Sequence, residues 1–430
     1  MIVARRLMGW LLASALTAPI CLCQILVSAP APSAAGQDEC TMSDTPQSSA
    51  SAARCAGLAH TSDLMDAGNH FFATVGALGG YDSAFDSKRD LSAPFEGGVV
   101  YAGLLVQKEK TFKVFENTAS ALGYHMNGGT IQYLDSTTAT LTHQASPRTL
   151  VGFYASNLFG NDAIRVLATN GANVDTEAPS YGIYAGRVLD NQATLRVTHE
   201  STQTRWFSLS IRNNFRDFFD DNSQINTVHA RAEVQYQPSP RSGIGLFEET
   251  SVESGTVDCS IQSAGVVYER RFSRIFAAEA EGAPAFGTKS CGETITANLY
   301  GSISAKPRPL TNFWVSGYRK LNDSWYADLT YENNVQAGWL QRFGMHDWFR
   351  LQGGWIGGTV PSQAAPFNGS YVASAFGHRL RGGLTASIAF QQYNWSGVTS
   401  IAPSRTLVTA GLYWSPTVEE SDRVYGPMAQ

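Results

Sequence analysis

The chain has 430 residues, of which 43% are hydrophobic, and a formal net charge of −5 from 31 basic and 36 acidic residues. Arginine is spread along the whole chain, so the basic patch typical of a nucleic-acid-binding protein is excluded. A bundle of transmembrane helices needs several apolar runs of about 18 residues or more. The one long apolar stretch lies at the very start, which excludes that class too.

The first 36 residues have the order of a secretory signal peptide. Arg5 and Arg6 precede an apolar stretch over 7–27, and small residues and prolines follow over 28–36. This order predicts a cleaved signal over 1–36, with an uncleaved N-terminal membrane anchor as the alternative. We interpret the polar residues 37–69 as an N-terminal extension, either pinned by a disulfide or disordered.

Secretion would determine which cysteines remain in the mature chain and whether they form disulfides. Four remain after the signal, and four cysteines allow three pairings. The sequence-local choice is Cys40–Cys55 and Cys259–Cys291, which would form in an oxidising compartment. The chain has no C-x-x-C motif and no histidine at ligand spacing, so we expect neither a metal site nor a cofactor.

Residues 70–416 alternate apolar and polar side chains over many short segments rich in β-branched and aromatic residues. The clearest are Gln192–Glu200, His229–Gln237 and Thr294–Lys306. Successive side chains of a strand point to opposite faces, so each segment has one apolar and one polar face. We therefore predict an all-β fold.

Short polar turns connect strands at about eight places, as in Leu141–Val151 and Val234–Ile244. Longer loops are predicted over Asn157–Pro179, Arg216–Gln224, Val252–Gln262, Ala283–Gly292 and Gly357–Gly369. Short turns at one end and long loops at the other are typical of a transmembrane β-barrel. The count gives 16 to 18 strands, depending on whether Gln192–Phe215 is one strand or two.

A soluble sandwich, propeller or β-helix would alternate in the same way, but three features favour a closed antiparallel barrel in a membrane. Apolar faces carry many alanines, and opposite faces carry charges that a water-filled lumen would keep partly solvated. Aromatic residues near strand ends predict girdles at the lipid–water boundaries. They are Trp314, Trp325, Tyr326, Tyr331, Trp339, Trp348, Trp355, Tyr393, Trp395, Tyr413 and Trp414.

The final strand, Arg405–Pro416, resembles the closing strand of bacterial outer-membrane β-barrel proteins, which ends on an aromatic residue. Two turns of the form Gln-x-Ser-Pro-Arg, at 144–148 and 237–241, are similar to those of porin-like barrels. The resemblance covers 70–416 and leaves 417–430 as a C-terminal tail. It implies an outer-membrane location, contact with outer-membrane lipids and the barrel-assembly machinery, and a possible homo-oligomer.

No catalytic motif is present, so we expect no enzyme and no nucleic-acid partner. A lipid hydrolase built on His143, His199 or His229 is one alternative. Asp217, Asp220 and Asp221 favour a solvated turn over a calcium site.

The favoured function is a porin-like channel for passive diffusion of small hydrophilic solutes. A non-conducting barrel for polysaccharide export or surface scaffolding is the other alternative. Selectivity would come from charged side chains that face the pore. The candidates for this lining are Arg196, Arg231, Glu233, Asp328, Glu332, Arg342 and Arg350.

Overall fold

The architecture is that of a computed structural model, which describes most of the chain between His70 and Trp414. The described residues are 70–86, 91–108, 112–125, 131–160, 187–220, 222–239, 241–255, 258–273, 275–291, 295–308, 310–323, 329–344, 346–360, 365–397 and 404–414. The predicted signal peptide, N-terminal extension and C-terminal tail lie outside them.

Eighteen strands account for almost all of this region, and two short 3₁₀ helices, Lys289–Cys291 and Arg381–Gly383, lie between strands. The strands are β1 (His70–Asp86), β2 (Leu91–Lys108), β3 (Phe112–His125), β4 (Ile131–Ser146), β5 (Thr149–Gly160), β6 (Val188–Thr202), β7 (Arg205–Phe218), β8 (Ser223–Ser239), β9 (Ser242–Ser254), β10 (Cys259–Arg271), β11 (Phe276–Gly287), β12 (Ile295–Arg308), β13 (Thr311–Asp323), β14 (Leu329–Phe343), β15 (Asp347–Val360), β16 (Ala365–Arg379), β17 (Leu384–Ser396) and β18 (Ser404–Trp414). Among the described residues, no helix has the length and hydropathy needed to cross a bilayer.

Each strand pairs antiparallel with the next, and the last strand returns to the first. Strand β18 pairs with β1 from Val75–Trp414 to Asp82–Leu407, which closes the sheet. Gln192–Phe215, which the sequence allowed to be one strand or two, contains a two-residue turn, because β6 ends at Thr202 and β7 begins at Arg205. The predicted all-β barrel is confirmed, at the upper end of the expected strand count.

The two ends of the barrel differ in how the strands are connected. At the turn end, where β1 begins and β18 ends, successive strands are joined by two to four residues. At the loop end the connections are of four residues or more, and that from Gly160 to Val188 is by far the longest.

The long loops predicted over Val252–Gln262, Ala283–Gly292 and Gly357–Gly369 are at least half strand, and the prediction of a long loop over Arg216–Gln224 was wrong in the same way. Strand β7 continues to Phe218 and β8 begins at Ser223, so most of this stretch is paired strand. Its composition is polar, but the backbones of β7 and β8 pair as far as Phe218 and Ser223. Polar side chains do not prevent backbone pairing there.

The two faces of the sheet have opposite character. On the outer face large apolar side chains are exposed, for example Leu246 at 66% and Val234 at 54%. On the inner face polar and charged side chains are buried, for example Glu332 at 1% and Gln336 at 1%. A soluble sandwich has the reverse arrangement, whereas a barrel in lipid needs an apolar outer surface and a closed backbone ladder.

The predicted girdles are only partly correct. Tyr331, Trp339, Trp355 and Trp414 lie on the outer face. On the inner face lie Trp314, Trp348, Tyr393, Trp395 and Tyr413. Trp325 and Tyr326 lie outside the described residues.

Glycine explains why tryptophans fit against the inner wall. Trp314 pairs with Gly338, Trp348 with Gly377, and Trp395 with Gly369. A Cβ on any of these glycines would come within 2.2 to 2.4 Å of the facing indole. Each ring therefore lies against the backbone of the neighbouring strand, where any other residue would displace it.

Candidate functional site

The inner face of the barrel is the candidate site, and it holds all the described residues predicted to line a pore. The alternation of side chains along each strand, together with the pairing register, places six of them on this face: Arg196, Arg231, Glu233, Glu332, Arg342 and Arg350. Asp328 lies outside the described residues. Whether these side chains line a conducting pore stays a prediction, but their shared face is settled by the register.

Strands β8 to β11 carry a charge cluster centred on Arg231, which is 4% exposed. Its guanidinium donates to Glu233 from Nε (3.1 Å) and Nη2 (2.9 Å). It also donates to Glu281 from Nη1 and Nη2, both at 3.1 Å, and from Nη1 to Glu249 at 3.3 Å. One cation thus holds three carboxylates from three different strands.

Further groups complete the charge cluster. The ring of Phe247 packs against the Arg231 guanidinium, whose Cζ lies 3.9 Å from the ring centroid. His229 Nε2 lies 3.0 Å from Glu249 Oε1. Gln235 Nε2 donates to Glu233 Oε1 at 2.7 Å. The expectation that water keeps each inner charge partly solvated is therefore wrong for Arg231 and Glu233, which are held by neighbouring side chains.

Strands β14 to β17 carry a different arrangement, an amide ladder centred on Tyr371. The Tyr371 hydroxyl donates to Gln336 Oε1 at 3.0 Å and accepts from Gln352 Nε2 at 2.9 Å. Arg350 Nη2 donates to Gln352 Oε1 at 3.2 Å. Most of the hydrogen bonds around Tyr371 join neutral groups, although Glu332, Arg342 and Arg350 lie on the same wall.

Toward the loop end the amide ladder passes into an aromatic cluster. Tyr371 and Tyr393 stack with ring centroids 6.1 Å apart and planes 17° apart. Ile356, Phe367 and Trp395 pack beside them. This cluster was missed because aromatic residues in an alternating strand suggested a lipid boundary, and only the pairing register assigns them to the inner face.

The closing seam has its own buried ion pair. Arg405 on β18 donates to both carboxylate oxygens of Asp82 on β1, at 3.1 and 2.7 Å. Their side chains are 3% and 0% exposed. No sequence pattern pointed to this pair, because its members are more than 300 residues apart and only closure of the sheet brings them together.

A disulfide joins Cys259 to Cys291, with Cα atoms 5.2 Å apart. It ties the start of β10 to the 3₁₀ helix after β11, at the loop end of the half that holds the charge cluster. Ile261 and Ala285 pack around it. Cys40 and Cys55 lie outside the described residues.

The three histidines weighed for a hydrolase do not come together. His143 and His199 lie on the outer face, where His199 Nδ1 is 2.9 Å from Thr149 Oγ1, whereas His229 lies on the inner face. Asp220 binds the backbone and guanidinium of Arg187. Within the described part of the chain, no cluster of three or more histidine, cysteine or acidic residues could hold a metal ion.

Comparison with known proteins gives structural similarity only. No protein-family model and no curated protein matches the chain. Pseudomonas aeruginosa OpdQ has a TM-score of 0.44 at 9% identity, over 81% of this chain and 98% of that one. P. aeruginosa OccK11 (OpdR) has a TM-score of 0.43 at 11% identity, over 81% and 95%. The siderophore receptor PirA from Acinetobacter baumannii has a TM-score of 0.44 at 8% identity, over 81% and 80%.

At these identities and TM-scores the similarities assign no function. The chain's own geometry decides its environment, because a closed sheet with an apolar outer face satisfies its backbone internally and presents hydrocarbon to lipid. The described strands form a transmembrane β-barrel.

Proposed function

We propose that the barrel is a channel of the bacterial outer membrane for passive diffusion of small hydrophilic solutes. The observation that supports this most is the combination of 18 strands with a polar inner face. Barrels of 16 to 18 strands leave an aqueous lumen, provided that nothing fills it.

Single-channel recording in planar bilayers tests this proposal. The purified barrel should give discrete conductance steps in potassium chloride. Arg350→Gln removes a cation from the inner wall, so the reversal potential in a salt gradient should move toward cation selectivity. Arg270→Gln is the matched control, because Arg270 lies on the outer face at the turn end and the change should leave the reversal potential in place.

One result would contradict the channel, and another would contradict the role of Arg350 in its selectivity. Absence of conductance in a correctly folded, heat-modifiable barrel would favour the non-conducting alternative, a scaffold for polysaccharide export or surface attachment. Conductance that neither variant alters would show that ions do not pass along the wall where Arg350 lies.

A further inference from the structure

The outer face carries a pocket lined by polar and aromatic side chains at the loop end of β13 to β16. Its volume is about 420 Å³. Toward the turn end the same strands expose apolar side chains, with Val315 at 49%, Val335 at 53% and Leu351 at 38%. The pocket therefore begins where the apolar band ends. The outward side chains that line it are those of Arg319, Tyr331, Asn333, Trp355, Thr359 and Asn368.

A fixed positive charge stands at one side of this pocket. The Arg319 guanidinium lies over the Tyr331 ring, with Cζ 4.9 Å from the ring centroid. Its Nη1 donates to Asn333 Oδ1 at 3.3 Å. The Tyr331 hydroxyl reaches across β13 and donates to the carbonyl oxygen of Ala297 at 3.1 Å. The tyrosine is thus anchored at its far end, and its ring holds the guanidinium at the pocket.

The remaining lining offers amide, hydroxyl and indole groups. Asn333 Nδ2 donates to the carbonyl oxygen of Gly357 at 3.4 Å, and Trp355 Nε1 donates to Asn368 Oδ1. The Trp355 ring is 43% exposed, and Thr359 is exposed beside it. An indole face packs against the apolar side of a sugar ring, while amides and hydroxyls bind its hydroxyl groups.

The position of the pocket on the barrel indicates which class of ligand can reach it. Short turns of outer-membrane barrels face the periplasm, so the loop end meets the outer leaflet. A ligand reaching this pocket comes from the plane of the lipid headgroups, just above the hydrocarbon. Guanidinium groups bind phosphate through paired charge-assisted hydrogen bonds.

We propose that this pocket binds the phosphorylated sugar headgroup of an outer-leaflet glycolipid, with Arg319 on a phosphate and Trp355 against the sugar. The inference rests on the proposed outer-membrane location and on the orientation of the barrel there, and not on whether the barrel conducts. It also identifies β13 to β16 as the side of the barrel to which one glycolipid molecule stays attached.

Binding of lipid A to the purified full barrel tests the proposal. Native mass spectrometry from detergent would measure retention of bisphosphorylated lipid A and of its dephosphorylated form. The wild type should retain one phosphorylated molecule, and Arg319→Gln should weaken its binding about tenfold, the scale of one charge-assisted contact. Arg319→Lys should fall between them, because it keeps the charge and loses the planar pair of donors.

Arg270→Gln supplies the matched control. Arg270 also lies on the outer face, with its Cζ 5.3 Å from the centroid of the Phe272 ring, but at the turn end. The proposal predicts wild-type binding for this variant, and equal losses in the two variants would overturn it. Equal retention of the dephosphorylated lipid would also overturn it. So would displacement of bound lipid A by millimolar inorganic phosphate, which would indicate a site for the free anion. Heat-modifiable mobility of every variant shows that the barrel is folded.

Discussion

The two halves of the inner face bury polar groups in different ways. In the charge cluster, Arg231 joins three carboxylates, of Glu233, Glu249 and Glu281. In the amide ladder, Tyr371 joins neutral amides, and aromatic rings lie over glycines. Replacing the central residue of the charge cluster leaves charges unpaired, whereas replacing that of the amide ladder leaves neutral groups unpaired. Their tolerance to substitution should differ accordingly.

The largest effect is expected from removing the centre of the charge cluster. Arg231→Met leaves three buried or half-buried carboxylates without their shared cation. Breaking a buried ionic network at one partner typically lowers stability by about 3–5 kcal/mol. We expect a loss of that order in the free energy of unfolding, measured by reversible denaturation in lipid vesicles.

A compensated variant separates charge from packing. Arg231→Met combined with Gln at Glu233, Glu249 and Glu281 removes all four charges and should recover a large part of the lost stability. If the quadruple variant were as unstable as the single one, the guanidinium would be acting mainly through its packing against Phe247, and the ionic account of this half would be wrong.

A smaller effect is expected from removing the centre of the amide ladder. Tyr371→Phe deletes the hydroxyl between Gln336 and Gln352 and keeps the stacked ring. Leaving buried neutral amides unsatisfied costs about 1–3 kcal/mol. Tyr393→Phe is the control, because its hydroxyl donates to Gln391 Oε1 on the same strand at 3.0 Å, whereas that of Tyr371 joins two neighbouring strands, and its loss should cost less. A loss for Tyr371→Phe equal to that for Arg231→Met would contradict the distinction between the two halves.

Strand periodicity alone predicted the class of fold, because alternation with period two is a local property of each strand. It also placed Arg196, Arg231 and Glu332 on the polar face correctly. The turn at 203–204 could not be predicted, because Leu195, Val197, Phe207 and Leu209 keep one parity across it. The observed pairing of β6 with β7 shows that this stretch forms two strands, which the alternation of side chains does not reveal.

Cross-strand register produced the features that were missed. Trp348 lies against the inner wall because Gly377 stands opposite, and these residues are almost 30 positions apart. The Arg405–Asp82 pair likewise exists only because the sheet closes. Single-sequence patterns specify which face a residue shares with its strand neighbours, but not which residue stands beside it on the next strand.

The smallest expected effect has the opposite sign and concerns the outer face of the half that holds the charge cluster. Glu248 is exposed there, between Ala232 and Ala264 on the neighbouring strands, with Leu246 on one side along β9 and Val252 beyond. A lipid-facing carboxylate is unfavourable, by less than the roughly 2–4 kcal/mol found for Arg or Lys at the midplane.

Glu248→Leu should therefore raise the free energy of unfolding in vesicles, by about 1 kcal/mol. Glu269→Leu makes the same change on the inner face of β10, where the carboxylate accepts from Gln235 Nε2 at 3.3 Å, and should lower it. The pair of variants thus compares one substitution on the two faces of adjacent strands. A loss of stability for Glu248→Leu would mean that a polar partner, such as a second copy of the barrel, covers this part of the outer face instead of lipid.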